Sequence, residues 1–124
     1  MEFNIKVQQK SRDAFVIQPE GRLDSNTATR FESGINQILQ RSTRLIVMDL
    51  QDLDYISSAG VRVIIKTRNA LKKNGGKLVF MNLPPQIKKV FDIINALPAM
   101  QIFMSVEELD DYLDVMQKRA KPQN

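Results

Sequence analysis

The fold is decided by residues 45–73, which read LIVMDLQDLDYISSAGVRVIIKTRNALKK. The first four residues, 45–48, are all apolar, a pattern typical of a strand that is buried on both faces of a sheet. A polar segment, residues 49–54, leads away from that strand. Apolar residues then recur at helical spacing over residues 61–71. The stretch therefore predicts a central strand and a helix, with the serine pair Ser57-Ser58 at the N-terminus of the helix.

The serine pair has two interpretations from the residues alone. A hydroxyl group accepts a hydrogen bond from a free amide of the first helical turn, so Ser57 or Ser58 is suited to cap the helix. A strand-to-helix junction is also a common position for functional residues in α/β proteins. The plain cap is the simpler interpretation, and a functional site is the alternative. Residues 74–76, Asn-Gly-Gly, predict the end of the helix. Lys72 and Lys73 lie in the last turn, where their positive charges interact favourably with the negative end of the helix dipole.

The residues before this stretch predict a β-hairpin and one helix. We predict the first strand over residues 3–7, where apolar and polar residues alternate. We predict the second strand over residues 14–18, where residues that favour strands lie together. Pro19 donates no amide hydrogen bond, so it belongs at a strand end or a sheet edge. Residues 21–24 form a loop, and a helix with its cap follows over residues 25–41.

The residues after the stretch predict two strands and two helices in alternation. Residues 77–81 form a strand, and a helix follows over residues 84–94, where proline at the start costs little. Residues 100–104 form a short edge strand. Ser105 and Glu108 form a capping-box pattern for a last helix. The residues of that helix that we predict to face inward are Leu109, Tyr112, Leu113 and Met116.

The order of elements is therefore β-β-α-β-α-β-α-β-α. It predicts an α/β fold with a mixed central β-sheet and four helices. A length of 124 residues fits one domain, which we assign to residues 1–117, with residues 118–124 as a flexible C-terminal tail. The apolar content of 43% and the charged content of 26% are typical of a globular protein. No apolar run approaches the roughly 20 residues that cross a bilayer, and the N-terminal residues lack a secretory pattern.

The composition argues against catalysis. The chain has no cysteine and no histidine, so it lacks the commonest general base, metal ligand and soft nucleophile. The absence of cysteine also fits the cytoplasm. Three acids, Asp49, Asp52 and Asp54, suggest a cation site, but they lack the glycine and terminal glutamate of a calcium loop. We therefore interpret them as solvated loop acids and expect no metal, no cofactor and no catalytic residue.

The charge distribution argues against direct contact with nucleic acid. The formal net charge is +4, but the basic residues are spread along the chain. No aromatic-rich basic stripe or groove-reading helix is present in the pattern. We therefore interpret the charges as a solvated surface, and we also expect no membrane insertion.

An ordered set of motifs resembles the STAS domain and, within it, the anti-sigma factor antagonists of bacterial partner-switching pathways. The resemblance extends over about residues 3–113. No one motif is specific alone, but the set at these spacings is. The motifs are Gly21-Arg22-Leu23-Asp24, Leu45 to Leu50, Asp54 to Val61, Asn74 to Leu78 and Val90-Phe91-Asp92.

The resemblance implies a function in reversible binding. Such an antagonist binds an anti-sigma factor that is also a serine kinase, and this releases the sigma factor. The kinase phosphorylates one serine of the antagonist and so ends the binding, and a serine phosphatase restores it. In the family pattern the acceptor is the serine two residues before a glycine at the helix start, which corresponds to Ser58 and Gly60. Many members carry aspartate before the acceptor where this chain has Ser57, so Ser57 is the alternative acceptor.

The resemblance also implies a partner-binding surface around the acceptor. Asp24 is expected on a loop beside it, although capping the first helix with Ser25 is the other interpretation. Gly60 either allows close packing at the helix start or lets a kinase active site approach. Arg62 and Arg68 lie away from the main apolar face of the helix, where they either contact a partner or are solvated. The predicted partner-binding residues are Asp24, Ser57, Ser58, Gly60 and Arg62.

Phosphorylation at Ser58 is expected to leave the fold intact. A phosphoserine carries about −1.5 to −2 charges at pH 7. The free amides and the dipole of a helix N-terminus favour such an anion. The switch would then act at the partner surface, where the added charge and volume oppose docking.

Three other classes of function remain open from the sequence. The chain could be a STAS subunit of a lipid-transport complex at the inner membrane, a domain that senses a small ligand, or an enzyme that uses carboxylates. A stable permease partner would identify the first class, and a rise in melting temperature with a ligand would identify the second. No paired-acid motif supports the third.

Overall fold

The computed structural model describes residues 3–96 and 106–122, which form five strands and four helices. In chain order these are β1 (Asn4–Ser11), β2 (Ala14–Leu23), α1 (Ala28–Leu39), β3 (Leu45–Asp49), β4 (Leu53–Ile56), α2 (Ser58–Lys73), β5 (Lys77–Met81), α3 (Pro85–Ala96) and α4 (Val106–Ala120). The prediction of an α/β fold with a mixed sheet and four helices is confirmed. The order within the described residues is β-β-α-β-β-α-β-α-α, so it differs from the predicted one. The predicted strand over residues 100–104 and the predicted cap Ser105 lie outside the described residues.

The sheet is built around β2. The strand order is β1-β2-β3-β5, and β4 pairs separately with β2. Strands β1 and β2 are antiparallel, whereas the other pairs are parallel. Residues 14–17 of β2 pair with β3, and residues 21–23 pair with β4. One long strand thus joins the two parts of the sheet.

Two predictions about the region of β2 were wrong. The strand does not end at Gln18 but continues to Leu23, through residues predicted as a loop. Pro19 therefore lies inside the strand, in the interval between the residues that pair with β3 and those that pair with β4. A residue without an amide N–H is tolerated there, because no bond of the parallel ladders is lost.

Strand β4 was missed in the segment predicted as polar. Leu53 and Ile56 are buried, and they hold the two ends of this four-residue strand against the core. Its backbone pairs with the extension of β2 at Gly21–Leu23. The polar connection is therefore shorter than predicted, and β4 leads directly into the serine pair.

The core lies on one face of the sheet. Ile46 and Met48 of β3 are fully buried, whereas Leu45 and Val47 on the other face are only partly buried. The prediction that β3 is buried on both faces is therefore wrong for one face. Val7 of β1 is 50% exposed, contrary to the predicted alternation. All residues of β1 after Ile5 are exposed, whereas Phe3 before the strand is buried and Ile5 is partly buried.

The end of α2 was predicted correctly. Gly75 has a positive φ of 76°, which glycine adopts at little cost. The amide of Gly75 donates to the carbonyl of Lys72, and the amide of Gly76 donates to the carbonyl of Leu71. These two bonds satisfy the last carbonyls of the helix in the manner of a Schellman motif.

Helix α4 differs from the prediction in two respects. Leu109 and Leu113 are buried as predicted and Met116 is partly buried, but Tyr112 is 36% exposed. The inward-facing stripe is therefore narrower than predicted. The helix also continues to Ala120, so the first three residues of the predicted tail, 118–120, are helical.

Candidate functional site

The serine pair lies at the junction between β4 and α2. Ser57 has an extended backbone, with φ −96° and ψ 176°, and is the N-cap of α2. Its hydroxyl oxygen accepts a hydrogen bond from the amide of Gly60 at 3.4 Å. Its own amide donates to the carbonyl of Leu23 at 2.9 Å, which ties the junction to the end of β2. The predicted cap is thus confirmed, and Ser57 provides it.

Ser58 is the first residue of α2 and is buried. Its exposed fraction is only 5%, and its Oγ has no hydrogen-bond partner among the described residues. Its amide donates a 2.7 Å hydrogen bond to Oδ1 of Asp110 in α4. The carboxylate thus takes up one of the amides that a helix N-terminus leaves free.

Gly60 is buried where α2 passes closest to two neighbouring strands. A methyl group at this position would approach Cγ of Leu23 to 2.7 Å and Cγ1 of Ile56 to 2.9 Å. Real side chains essentially never pack so closely. Gly60 therefore permits the close packing that holds the first turn of α2 against β2 and β4.

Asp24 lies directly after Leu23, so it is close to the serine junction, as the resemblance implied. Its Oδ1 accepts hydrogen bonds from the amides of Asn26 at 2.9 Å and Thr27 at 3.2 Å. Thr27 is the N-cap position of α1, and its hydroxyl accepts from the amide of Asp24 at 2.9 Å. The carboxylate therefore organises the turn before α1, together with Thr27 and not with Ser25.

The two arginines of α2 are exposed. Arg62 lies one turn after Ser58, and Arg68 lies further along the helix. Arg62 lines a cleft of about 270 Å³ that Ser58 also lines. Of the predicted partner-binding residues, Arg62 is the most exposed, Asp24 is partly exposed, and Ser57, Ser58 and Gly60 are buried.

Sequence reasoning missed the role of Gln117. This side chain is only 3% exposed. Its Oε1 accepts from the amide of Ile56 at 2.9 Å, and its Nε2 donates to the carbonyl of the same residue at 2.7 Å. A side-chain amide thus takes the place of a neighbouring strand at the outer edge of β4. The signal in the sequence was a polar residue at helical spacing after Leu109 and Leu113.

Arg22 and Tyr55 form a further contact next to the junction. The guanidinium carbon of Arg22 lies 4.0 Å from the centre of the Tyr55 ring, a distance typical of a cation–π contact. Burial, followed by the negative charges of Asp114 and Asp110, raises the pKa of the Tyr55 hydroxyl. Both residues lie within the motifs that resemble the family, but the sequence did not predict either as a site residue.

The three acids that suggested a cation site do not converge. Asp49 is buried and accepts from the side-chain amide of Asn82, whereas Asp52 accepts from Gln18. Asp54 forms an ion pair with Lys121 at 2.6 Å. The interpretation of all three as solvated loop acids is therefore wrong for Asp49. Among residues 3–96 and 106–122, no group of three acidic side chains is arranged to hold a metal ion.

Comparison with protein families identifies the fold. The model of the STAS domain matches residues 4–109, which is most of the chain. The chain belongs to the STAS domain family. A Bordetella bronchiseptica protein named as the anti-sigma factor antagonist BtrV is 34% identical over 88 residues. That match covers 71% of this chain and 76% of BtrV.

Two more relatives of this STAS domain carry related names. An anti-sigma-B factor antagonist of Staphylococcus aureus is 25% identical over 100 residues, which are 80% of this chain and 93% of that protein. The solved structure of the anti-sigma factor antagonist SpoIIAA in its unphosphorylated form has a TM-score of 0.63 at 23% identity. That match covers 73% of this chain and 83% of SpoIIAA. The likeness to SpoIIAA shows the common fold. Across the described part of the chain, moreover, no helix is both long and apolar enough to span a bilayer.

Proposed function

We propose that this STAS domain is an anti-sigma factor antagonist that acts in the cytoplasm by reversible binding and not by catalysis. Its partner is an anti-sigma factor that is also a serine kinase, and binding releases the sigma factor. A serine phosphatase acts on the phosphorylated form. The observation that carries the proposal is the serine pair at the N-terminus of α2, in a chain that is 34% identical to a protein named as such an antagonist.

The contacts of the two serines favour Ser58 as the acceptor. The hydroxyl of Ser57 already accepts from the amide of Gly60, so its modification would alter the contact that caps the helix. The hydroxyl of Ser58 has no partner among the described residues, so its modification would break no hydrogen bond of that group. The amide of the same residue already binds a carboxylate, which is the chemistry that a phosphoryl group also offers.

The proposed modification is an ordinary phosphoryl transfer. A new bond forms between Oγ of Ser58 and the γ-phosphorus of ATP. The bond from that phosphorus to the oxygen that bridges it to the β-phosphate breaks, and ADP leaves. The hydroxyl proton passes to a base of the kinase. The product carries about −1.5 to −2 charges at pH 7.

The proposed partner surface surrounds the junction. Arg62 and Asp24 supply its exposed charges, and Arg22 with its stacked Tyr55 extends it along the end of β2. Charges of opposite sign on a partner would steer its encounter with this surface. A phosphoryl group on Ser58 would add negative charge there and reduce the electrostatic complementarity with the partner. The buried members, Ser57, Ser58 and Gly60, would set the shape of this surface through the turn that they form.

The experiment that tests the proposal is affinity purification of the tagged chain from its native cell. Wild type, Ser58→Ala and Ser57→Ala are compared, and the intact mass of each is measured. We expect Ser58→Ala to retain an ATP-binding protein kinase and to carry no phosphate. We expect Ser57→Ala to remain open to modification, because Ser58 is still present.

Two results would count against the proposal. A phosphate that persists in Ser58→Ala would remove Ser58 as the acceptor. A stable permease partner without any phosphate on wild type would favour the lipid-transport class of STAS subunit.

A further inference from the structure

Helix α4 covers the proposed acceptor serine. Its Asp110 accepts the amide of Ser58, and its Gln117 binds both backbone groups of Ile56, two residues before that serine. Leu109 and Leu113 of the same helix are buried in the core. Asp110, Gln117 and these two leucines thus hold α4 against the junction.

The docked position of α4 is incompatible with phosphoryl transfer. A kinase aligns the acceptor oxygen with the γ-phosphoryl group of ATP, so this oxygen must be accessible. The side chain of Ser58 is instead 5% exposed, and its cleft is lined mainly by apolar groups of residues such as Val61, Ile65 and Leu109. Transfer to this oxygen therefore requires a structural change, and α4 contributes both Leu109 in the cleft and Asp110 on the serine amide.

The docked position is equally unsuited to the product. A phosphoryl group on Ser58 would carry about two negative charges next to the carboxylate of Asp110. Like charges at such short range repel each other. Both anions would also compete for the same free amide at the start of α2.

We propose that α4 is an intramolecular latch on the phosphorylation site. When it is docked, it masks Ser58, and when it is displaced, the hydroxyl becomes accessible. A phosphoryl group would then replace Asp110 as the anion at the N-terminus of α2 and would keep α4 displaced. The identity of Ser58 as the acceptor rests on the proposed function, whereas the masking of this position does not.

The absence of cysteine permits a direct test without any kinase. In Ser58→Cys, the only thiol of the chain reports how often position 58 is exposed. Its rate of reaction with N-ethylmaleimide, a neutral reagent, is compared with that of Asn69→Cys, an exposed position on the same helix. We expect the thiol at position 58 to react at least about tenfold more slowly, because a latch worth 1.4 kcal/mol or more suppresses exposure to that extent.

Second substitutions in the Ser58→Cys chain open the latch. Gln117→Ala removes two hydrogen bonds without changing the charge, and Asp110→Ala removes the contact to the serine amide itself. Each should raise the thiol rate about tenfold, which corresponds to about 1.4 kcal/mol, because each leaves a buried backbone group unpaired. The matched controls are Val115→Ala and Asp111→Ala, which alter exposed residues of α4. They should leave the rate unchanged.

Each outcome decides the matter. Equal rates at positions 58 and 69 would overturn the latch. An increase with Asp110→Ala but not with Gln117→Ala would also overturn it, because the loss of a nearby charge alone lowers a thiol pKa. Far-UV circular dichroism excludes unfolded variants. If Asp110→Ala fails to fold, Gln117→Ala carries the test, and if Gln117→Ala fails to fold, the shorter but still neutral Gln117→Asn replaces it. The two tests are independent. If the thiol rates contradict the latch, the co-purification of a kinase and the phosphate on Ser58 still test the proposed function. If the chain is never phosphorylated, the thiol rates still test whether α4 masks position 58.

Discussion

Oδ1 of Asp110 accepts a 2.7 Å hydrogen bond from the amide of Ser58, across 52 residues of the chain. The first turn of α2 contains no acidic residue of its own. Negative charge at the start of a helix is favourable, because the free amides and the dipole there are positive. Helix α4 thus supplies from outside the charge that α2 lacks, and in doing so it covers the candidate acceptor.

The two serines should differ in their contribution to stability. Ser57→Ala removes the hydroxyl that caps α2, so we expect the free energy of unfolding to fall by about 1 kcal/mol. Ser58→Ala removes a buried hydroxyl that has no partner among the described residues, so we expect a change within about 0.5 kcal/mol or a small gain. Urea unfolding of the two variants measures the difference. A larger loss for Ser58→Ala than for Ser57→Ala would contradict the assignment of the cap.

Gly60 should not tolerate a methyl group. In Gly60→Ala the new Cβ would meet Leu23 and Ile56 at distances below 3.0 Å, so we expect a loss of about 1–3 kcal/mol. The matched control is Gly34→Ala in α1, whose Cβ would meet only a side-chain methyl of Ile5 at an ordinary 3.5 Å. We expect the control to be neutral or to gain up to about 1 kcal/mol from helix propensity. Thermal unfolding of both variants tests this, and equal stabilities would contradict the packing role of Gly60.

Tyr55 should ionise above the ordinary tyrosine pKa of 10.0. Burial raises its pKa first, Asp114 and Asp110 add to the effect together with Asp24, and Arg22 opposes it. Because the pKa of Tyr55 is higher in the folded state than in the unfolded state, the protonated hydroxyl contributes to the free energy of unfolding. This contribution is fully present below pH 10.0 and declines as the pH rises from 10.0 to the folded-state pKa.

A spectrophotometric titration tests this assignment. In Tyr112→Phe, Tyr55 is the only tyrosine, and the midpoint should lie above 10.0. Adding Asp110→Ala should move the midpoint back towards that value, because one negative charge is removed and α4 is released. Tyr55→Phe should abolish this part of the alkaline loss of stability. A midpoint at or below 10.0 would contradict the partly buried, acidic surroundings of the hydroxyl.

A negative charge at position 58 should release α4 and preserve the sheet. In Ser58→Asp the new carboxylate would lie next to Asp110 at the same helix terminus, where the two repel each other. Amide hydrogen exchange should therefore show faster exchange over residues 106–120, with little change in β2 and β3. Ser58→Asn is the neutral control. Loss of protection throughout the sheet would contradict the expectation that charge at this site leaves the fold intact.

Local signals made much of the fold predictable. The apolar spacing of α2 and its Asn-Gly-Gly end are both encoded within a few residues, and the structure confirms both. Strand β4 has no comparable signal, because Leu53–Ile56 is short and mixed in polarity. It becomes a strand only where the extension of β2 at Gly21–Leu23 offers its backbone, and this extension lies beyond Pro19. Pairing over such a sequence distance overrides local propensity.

The site was only partly predictable for the same reason. A cap by one of the two serines is a local interaction, so the sequence was sufficient to predict it, and the structure assigns it to Ser57. The amide of Ser58 is paired with Asp110 and the edge of β4 is closed by Gln117, and both partners are remote in the chain. An acid or an amide on a helix surface does not reveal its tertiary partner.

The central claim is that phosphate on Ser58 ends the binding of an anti-sigma factor kinase. The most direct measurement is the dissociation constant of the co-purified kinase for the purified chain before and after phosphorylation, with the modified residue located by mass spectrometry. We expect a single phosphate on Ser58 and binding weaker by about a hundredfold or more, since unfavourable charge at an interface costs several kcal/mol. An unchanged dissociation constant with Ser58 fully phosphorylated would contradict the claim.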